Sequence, residues 1–82
     1  MHILLIEDDI NAARYVIKGL RESGHVVDHA SDGEMGLDMT LSSSFDVIVI
    51  DRMLPKLDGL SLITKLRQEN IRTPILILSA LG

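Results

Sequence analysis

No cysteine occurs anywhere in the chain, so disulfide staples and thiolate metal centres are excluded, as a reducing compartment permits. Aromatic residues are nearly as scarce. There is no tryptophan, one phenylalanine and one tyrosine, too few to stack a run of nucleobases. Lysine and arginine number 8 against 12 acidic residues, a net charge of −4, and no basic cluster forms. That balance argues against a direct grip on nucleic acid. The first apolar run, Ile3 to Ile6, gives way at once to Glu7, Asp8 and Asp9, which fits neither a signal peptide nor a membrane span. A cytoplasmic protein is expected. At 82 residues the chain has room for one small domain with a limited core.

What is present is a set of short apolar runs that end in polar residues. Ile3 to Ile6, Val47 to Ile50 and Ile75 to Leu78 are unbroken, as suits parallel strands covered on both faces. Val26 to Ala30 is a shorter strand. Between the runs the period turns helical. Ala13, Val16, Ile17 and Leu20 recur at spacings of three and four, and Gly24 supplies the residue that often follows a helix end. Asp32-Gly33 opens a weaker helix through Leu37 and Leu41 to the Ser42-Ser43-Ser44 break. A third helix follows Asp58, its expected N-cap, with Leu60, Ile63 and Leu66 on one face. Thr73-Pro74 closes the way into the last strand. The order βαβαβαβ predicts an α/β fold with a parallel sheet, in which the first, third and fourth strands end at one edge.

Residues 45–59 organise the rest, because there the most apolar strand runs into a carboxylate, Asp51. The carboxyl edge of an open α/β sheet is where ligands bind. Glu7 and Asp8 end the first strand and Ser79 ends the fourth, so neighbouring first and third strands would bring three carboxylates together. Two unit charges about 4 Å apart repel by roughly 4 kcal/mol at an effective dielectric near 20, so a counter-ion is implied. A few hard oxygen ligands select Mg²⁺ over zinc or copper. The blander reading makes Glu7, Asp8 and Asp9 an acidic cap at the positive end of the first helix.

Three motifs, Ile-Leu-Leu-Ile-Glu-Asp-Asp at 3–9, Asp-Arg-Met-Leu-Pro-Lys-Leu-Asp-Gly at 51–59 and Ile-Leu-Ile-Leu-Ser-Ala at 75–80, carry a resemblance over all 82 residues. The chain resembles the receiver domain of bacterial two-component response regulators, and is most similar to the OmpR/PhoB type, whose output is a separate winged-helix DNA-binding domain. The resemblance implies a flavodoxin-like, CheY-like doubly wound sheet of order 2-1-3-4-5, of which four strands would be present here as 2-1-3-4. It makes Asp51 the acceptor of a phosphoryl group from a sensor histidine kinase. Asp8 becomes a direct Mg²⁺ ligand with Asp51, Glu7 an acidic partner acting through water, and Met53 a backbone-carbonyl ligand. Ser79 becomes the hydroxyl that senses the phosphoryl group, with Ala80 leaving it room. Pro55 and Gly59 shape the loop, and Met53 and Leu81 tune phosphoryl lifetime. The protein would then be a switch and interaction module controlling transcription, and not an enzyme.

A receiver ordinarily continues through a fourth helix, a fifth strand and a fifth helix, which carry a phosphoryl-pairing lysine, a switch aromatic and a dimerisation surface. Residues 1–82 are thus expected to be a partial receiver, without that segment or an output domain, and with weak or short-lived phosphorylation. Nothing shows Lys56 replacing the lysine. One alternative is a structural or dominant-negative fragment that cannot be switched. Another is a haloacid-dehalogenase-like phosphatase, which would need Asp-x-Asp where Arg52 and Met53 follow Asp51. The fourth strand, left at an edge without Lys or Pro, is expected to pair with a second copy through Ile75, Ile77 and Leu78. His2, His25 and His29 are read as lying away from the acidic edge and binding no metal. Tyr15 is read as a cover residue of the first helix.

Overall fold

The computed structural model describes residues 1–51 and 59–78, with Asp51 described by its backbone alone. Seven elements alternate: β1 (His2–Ile6), α1 (Ile10–Glu22), β2 (Val26–Ala30), α2 (Gly33–Ser42), β3 (Val47–Asp51), α3 (Gly59–Gln68) and β4 (Ile75–Leu78). The strands pair in parallel in the order β2-β1-β3-β4. This is the order the resemblance implies.

Side chains alternate across a strand, so β1 feeds two cores. Leu4 and Ile6 join Ala30, Ile48, Ile50, Leu62 and Leu66 on the face covered by α2 and α3. Ile3 and Leu5 join Val27, Val49 and Ala13 on the other face, covered by Val16, Ile17 and Leu20 of α1. Leu4, Leu5, Ile6, Ile48 and Ile50 are all fully buried. Each such side chain contributes about 1.5–3 kcal/mol by leaving water, so the two inner strands anchor the fold. The unbroken runs of β1 and β3 had predicted this double cover, whereas the run of β4 is largely exposed.

The helix ends follow local chemistry. Gly24 stands at φ 91° after α1, and the amides of Gly24 and His25 donate to the carbonyls of Arg21 and Leu20. The same pair of bonds ends α3, where Asn70 takes φ 60° and the amides of Asn70 and Ile71 donate to Arg67 and Leu66. Arg67 Nη1 then donates to the carbonyls of Ile71 and Thr73, which sets the path into β4.

Two expectations about helix faces, those for Leu60 and Tyr15, need correction. Leu60 is 59% exposed, and the buried face of α3 is Leu62, Ile63 and Leu66 instead. At about 100° per residue, Leu60 lies about 200° around the helix from Leu62. Leu41 is exposed, and α2 approaches the sheet through the small residues Gly33, Gly36 and Thr40. A Cβ on Gly36 would collide with Ile6 Cδ1. Tyr15 covers nothing, being 84% exposed. The expected N-cap Asp58 lies outside the described residues.

Candidate functional site

Register decides what the carboxyl edge gathers. The last β1–β3 pair is Ile6 with Ile50, so Glu7 and Asp51 each stand one residue beyond it. Asp51 in turn pairs with Leu78, which puts the end of β4 at the same edge. β2 arrives there through Ala30, whose carbonyl accepts from the Glu7 amide at 3.0 Å. Met53, Pro55, Lys56, Ser79, Ala80 and Leu81 lie outside the described residues.

The three adjacent carboxylates that follow β1 have different surroundings. Asp9 is the N-cap of α1, and its Oδ1 accepts from the amides of Asn11 at 3.0 Å and Ala12 at 3.2 Å. Glu7 is half-buried, and its Oε2 accepts from the Asp9 amide at 3.3 Å. Asp8 is exposed and makes no hydrogen bond among the described residues. The acidic-cap reading therefore holds for Asp9, while the Asp8 carboxylate is not engaged by any described residue. Asp9→Ala is expected to cost about 1 kcal/mol of stability, the usual worth of an N-cap, whether or not Mg²⁺ is present. Urea midpoints in Mg²⁺ and in EDTA check this, and a loss confined to the Mg²⁺ arm would make Asp9 a ligand.

One placement contradicts the sequence reading. His29 lies at the acidic edge, not away from it, because β2 runs parallel to β1 and His29 pairs with Leu5, two residues before Glu7. Its Nε2 donates to the Glu7 carbonyl at 2.7 Å. His2 sits at the opposite end of the sheet, as expected. There its ring contacts Asp28 Oδ2 at 2.8 Å and the Ser44 carbonyl at 2.9 Å, with the Phe45 ring centred 4.5 Å away and tilted by 43°. His25 is near it, 3.1 Å from the terminal amine.

Among the described residues no three His, Asp or Glu side chains form a ready metal cage. The donor set of the edge nevertheless suits Mg²⁺. The side chains that follow β1 are hard carboxylates, one of them exposed and unengaged among the described residues, and a cation that keeps several waters needs only one or two.

The response regulator receiver domain family matches residues 3–82, and the chain belongs to that family. It is 43% identical to the probable transcriptional regulatory protein SilR of Salmonella typhimurium and 40% identical to the transcriptional regulatory protein CusR of Escherichia coli K12. In both cases all of this chain is covered, and it spans 36% of the relative's length. Among solved structures, the receiver domain of Francisella response regulator 1452 matches with a TM-score of 0.94 at 42% identity, over 99% of this chain and 67% of that one. Response regulator TrrA of Thermotoga maritima, solved in complex with Mg²⁺-BeF, matches with a TM-score of 0.91 at 27% identity, over 99% of this chain and 70% of that one. No helix among the described residues is long and apolar enough to cross a membrane.

Proposed function

We propose that the chain is a phosphoacceptor module of a cytoplasmic two-component response regulator, with Asp51 the acceptor and a sensor histidine kinase the donor. A carboxylate oxygen of Asp51 attacks the phosphorus of the kinase phosphohistidine, the P–N bond breaks, and an acyl phosphate forms. Glu7 and Asp8, with Asp51 and the Met53 carbonyl, would hold Mg²⁺, which supplies charge neutralisation for the approach of two anions. Asp8, two residues past Ile6, would face the cation from the end of β1, and Ser79 would meet the phosphoryl group from the end of β4. The same event would control transcription through a separate DNA-binding domain, the module itself holding no nucleic acid. Assembly with a second copy through β4 belongs to this reading.

The observation that carries it is the register: Asp51 closes the inner strand β3 one residue past Ile50, and Glu7, followed by Asp8, stands one residue past Ile6, the partner of Ile50. Acetyl phosphate with Mg²⁺ is expected to add one phosphoryl group, read as intact mass at short times, and Asp51→Asn is expected to abolish it. Label that survives in Asp51→Asn would move the acceptor elsewhere. A folded chain that takes neither acetyl phosphate nor beryllofluoride would be the non-switchable module.

A further inference from the structure

We propose that His29 is a positioning residue for the acidic turn, fixing Asp8 for the cation through the Glu7 carbonyl; this rests on the reading of Glu7, Asp8 and Asp51 as a Mg²⁺ site. The starting point is how β1 leaves the sheet. In a strand the amide and carbonyl of one residue face the same neighbour, and at Glu7 that neighbour is β2. The Glu7 amide takes the last backbone acceptor of β2, the Ala30 carbonyl, at 3.0 Å. β2 ends at Ala30, and two residues later Asp32 is already the N-cap of α2, its Oδ1 accepting from the Met35 amide at 2.8 Å. The Glu7 carbonyl is met by a side chain: His29 Nε2 donates to it at 2.7 Å. A carbonyl only accepts, so Nε2 carries the hydrogen.

That bond fixes the plane of the peptide joining Glu7 to Asp8. On the other side of Asp8, the Asp9 amide donates to Glu7 Oε2 and the Asp9 carboxylate is committed to α1. The backbone on both sides of Asp8 is therefore tied down while its own carboxylate is exposed and makes no hydrogen bond among the described residues. A ligand is best presented on fixed backbone, and hydrogen bonds one step behind a metal ligand tune affinity by about 10–100-fold. The bond to His29 acts on the backbone and not on a ligand atom, so the lower end of that range is expected.

The test compares this chain with His29→Phe, which keeps a ring and removes the donor, and His29→Gln, whose amide restores a donor at similar reach. Mg²⁺ binding is measured by titration calorimetry with magnesium chloride, and amide exchange is measured by NMR in EDTA. His29→Phe is expected to weaken Mg²⁺ binding about tenfold and to speed exchange at Asp8 and Asp9 while Leu4 to Ile6 keep their protection, and His29→Gln is expected to recover most of both. Unchanged Mg²⁺ affinity in His29→Phe overturns the positioning role, as does a His29→Gln variant no better than the Phe variant. If the unsubstituted chain binds no Mg²⁺, the metal reading fails, and the positioning role fails with it. In that case exchange at Asp8 and Asp9 still tells whether the histidine bond orders the turn.

Discussion

Magnesium at ten times its dissociation constant is expected to stabilise the folded chain by about 1.4 kcal/mol, as RT ln(1 + [L]/Kd) requires for a ligand that binds only the native state. The native state brings Glu7, Asp8 and the end of β3 to one edge, whereas the unfolded chain disperses them. Urea midpoints in Mg²⁺ and in EDTA measure the gain, and identical midpoints would count against an assembled site. Asp8→Ala sharpens the test because Asp8 is the carboxylate with no structural duty among the described residues. Its removal is expected to abolish the Mg²⁺ gain and to raise stability slightly in EDTA, where it relieves repulsion from the neighbouring acids. The relief is small because exposed charges are screened. Equal destabilisation in both buffers would instead assign Asp8 to the helix cap with Asp9.

Much of the fold was legible because the sequence signals were unambiguous in period. Ile3 to Ile6 and Val47 to Ile50 are runs with no polar residue, as strands covered on both faces require, and all of the first and Ile48 to Ile50 of the second are buried. Gly24 marked the end of α1 because its left-handed backbone favours a residue without Cβ. Misreadings came where several apolar residues competed for one face. In Leu60-Ser61-Leu62-Ile63 the spacing allows Leu60 or Leu62 inward, and the packing against Ile48 and Ile50 selects Leu62. Small residues also carry a weak signal, so the close approach of α2 at Gly36 could not be read from hydropathy.

The site was legible in its residue types but not in its division of labour. Glu7, Asp8 and Asp9 are chemically near-equivalent in sequence. The start of α1 at Ile10 is what commits Asp9 to the cap and leaves Asp8 unengaged among the described residues. His29 was misplaced for a related reason. Its role depends on β2 running parallel beside β1 and on β2 ending at Ala30, so that a side chain donates to the Glu7 carbonyl, neither of which a single strand's sequence displays. A polar residue next to the last core position of a parallel strand was the signal available.

A second copy of the chain is expected to cover β4. In the sheet order β2-β1-β3-β4 this strand is an edge, and Leu76, Ile77 and Leu78 are 55%, 38% and 39% exposed although all are apolar. The helices cover the inner strands and leave it. Ile75 alone is packed against the α2 and α3 face, opposite Ile48. An edge of free backbone groups without lysine, proline or a bulge pairs readily with another edge. Two copies related by a twofold axis could pair β4 with β4 and bury both sets of side chains, the same patch serving on each. Several hundred Å² of apolar surface at roughly 25 cal/mol per Å² amounts to several kcal/mol before association entropy is subtracted, enough to matter for so small a domain. Light scattering coupled to size-exclusion chromatography is expected to give at least twice the 9.1 kDa chain mass at tens of micromolar. Leu76→Lys places a charge on the most exposed of these side chains and is expected to return a folded monomer, because an edge lysine opposes strand addition. If the unsubstituted chain is itself a folded monomer, β4 is protected without a partner. If Leu76→Lys leaves the assembly intact, the contact lies elsewhere on the chain.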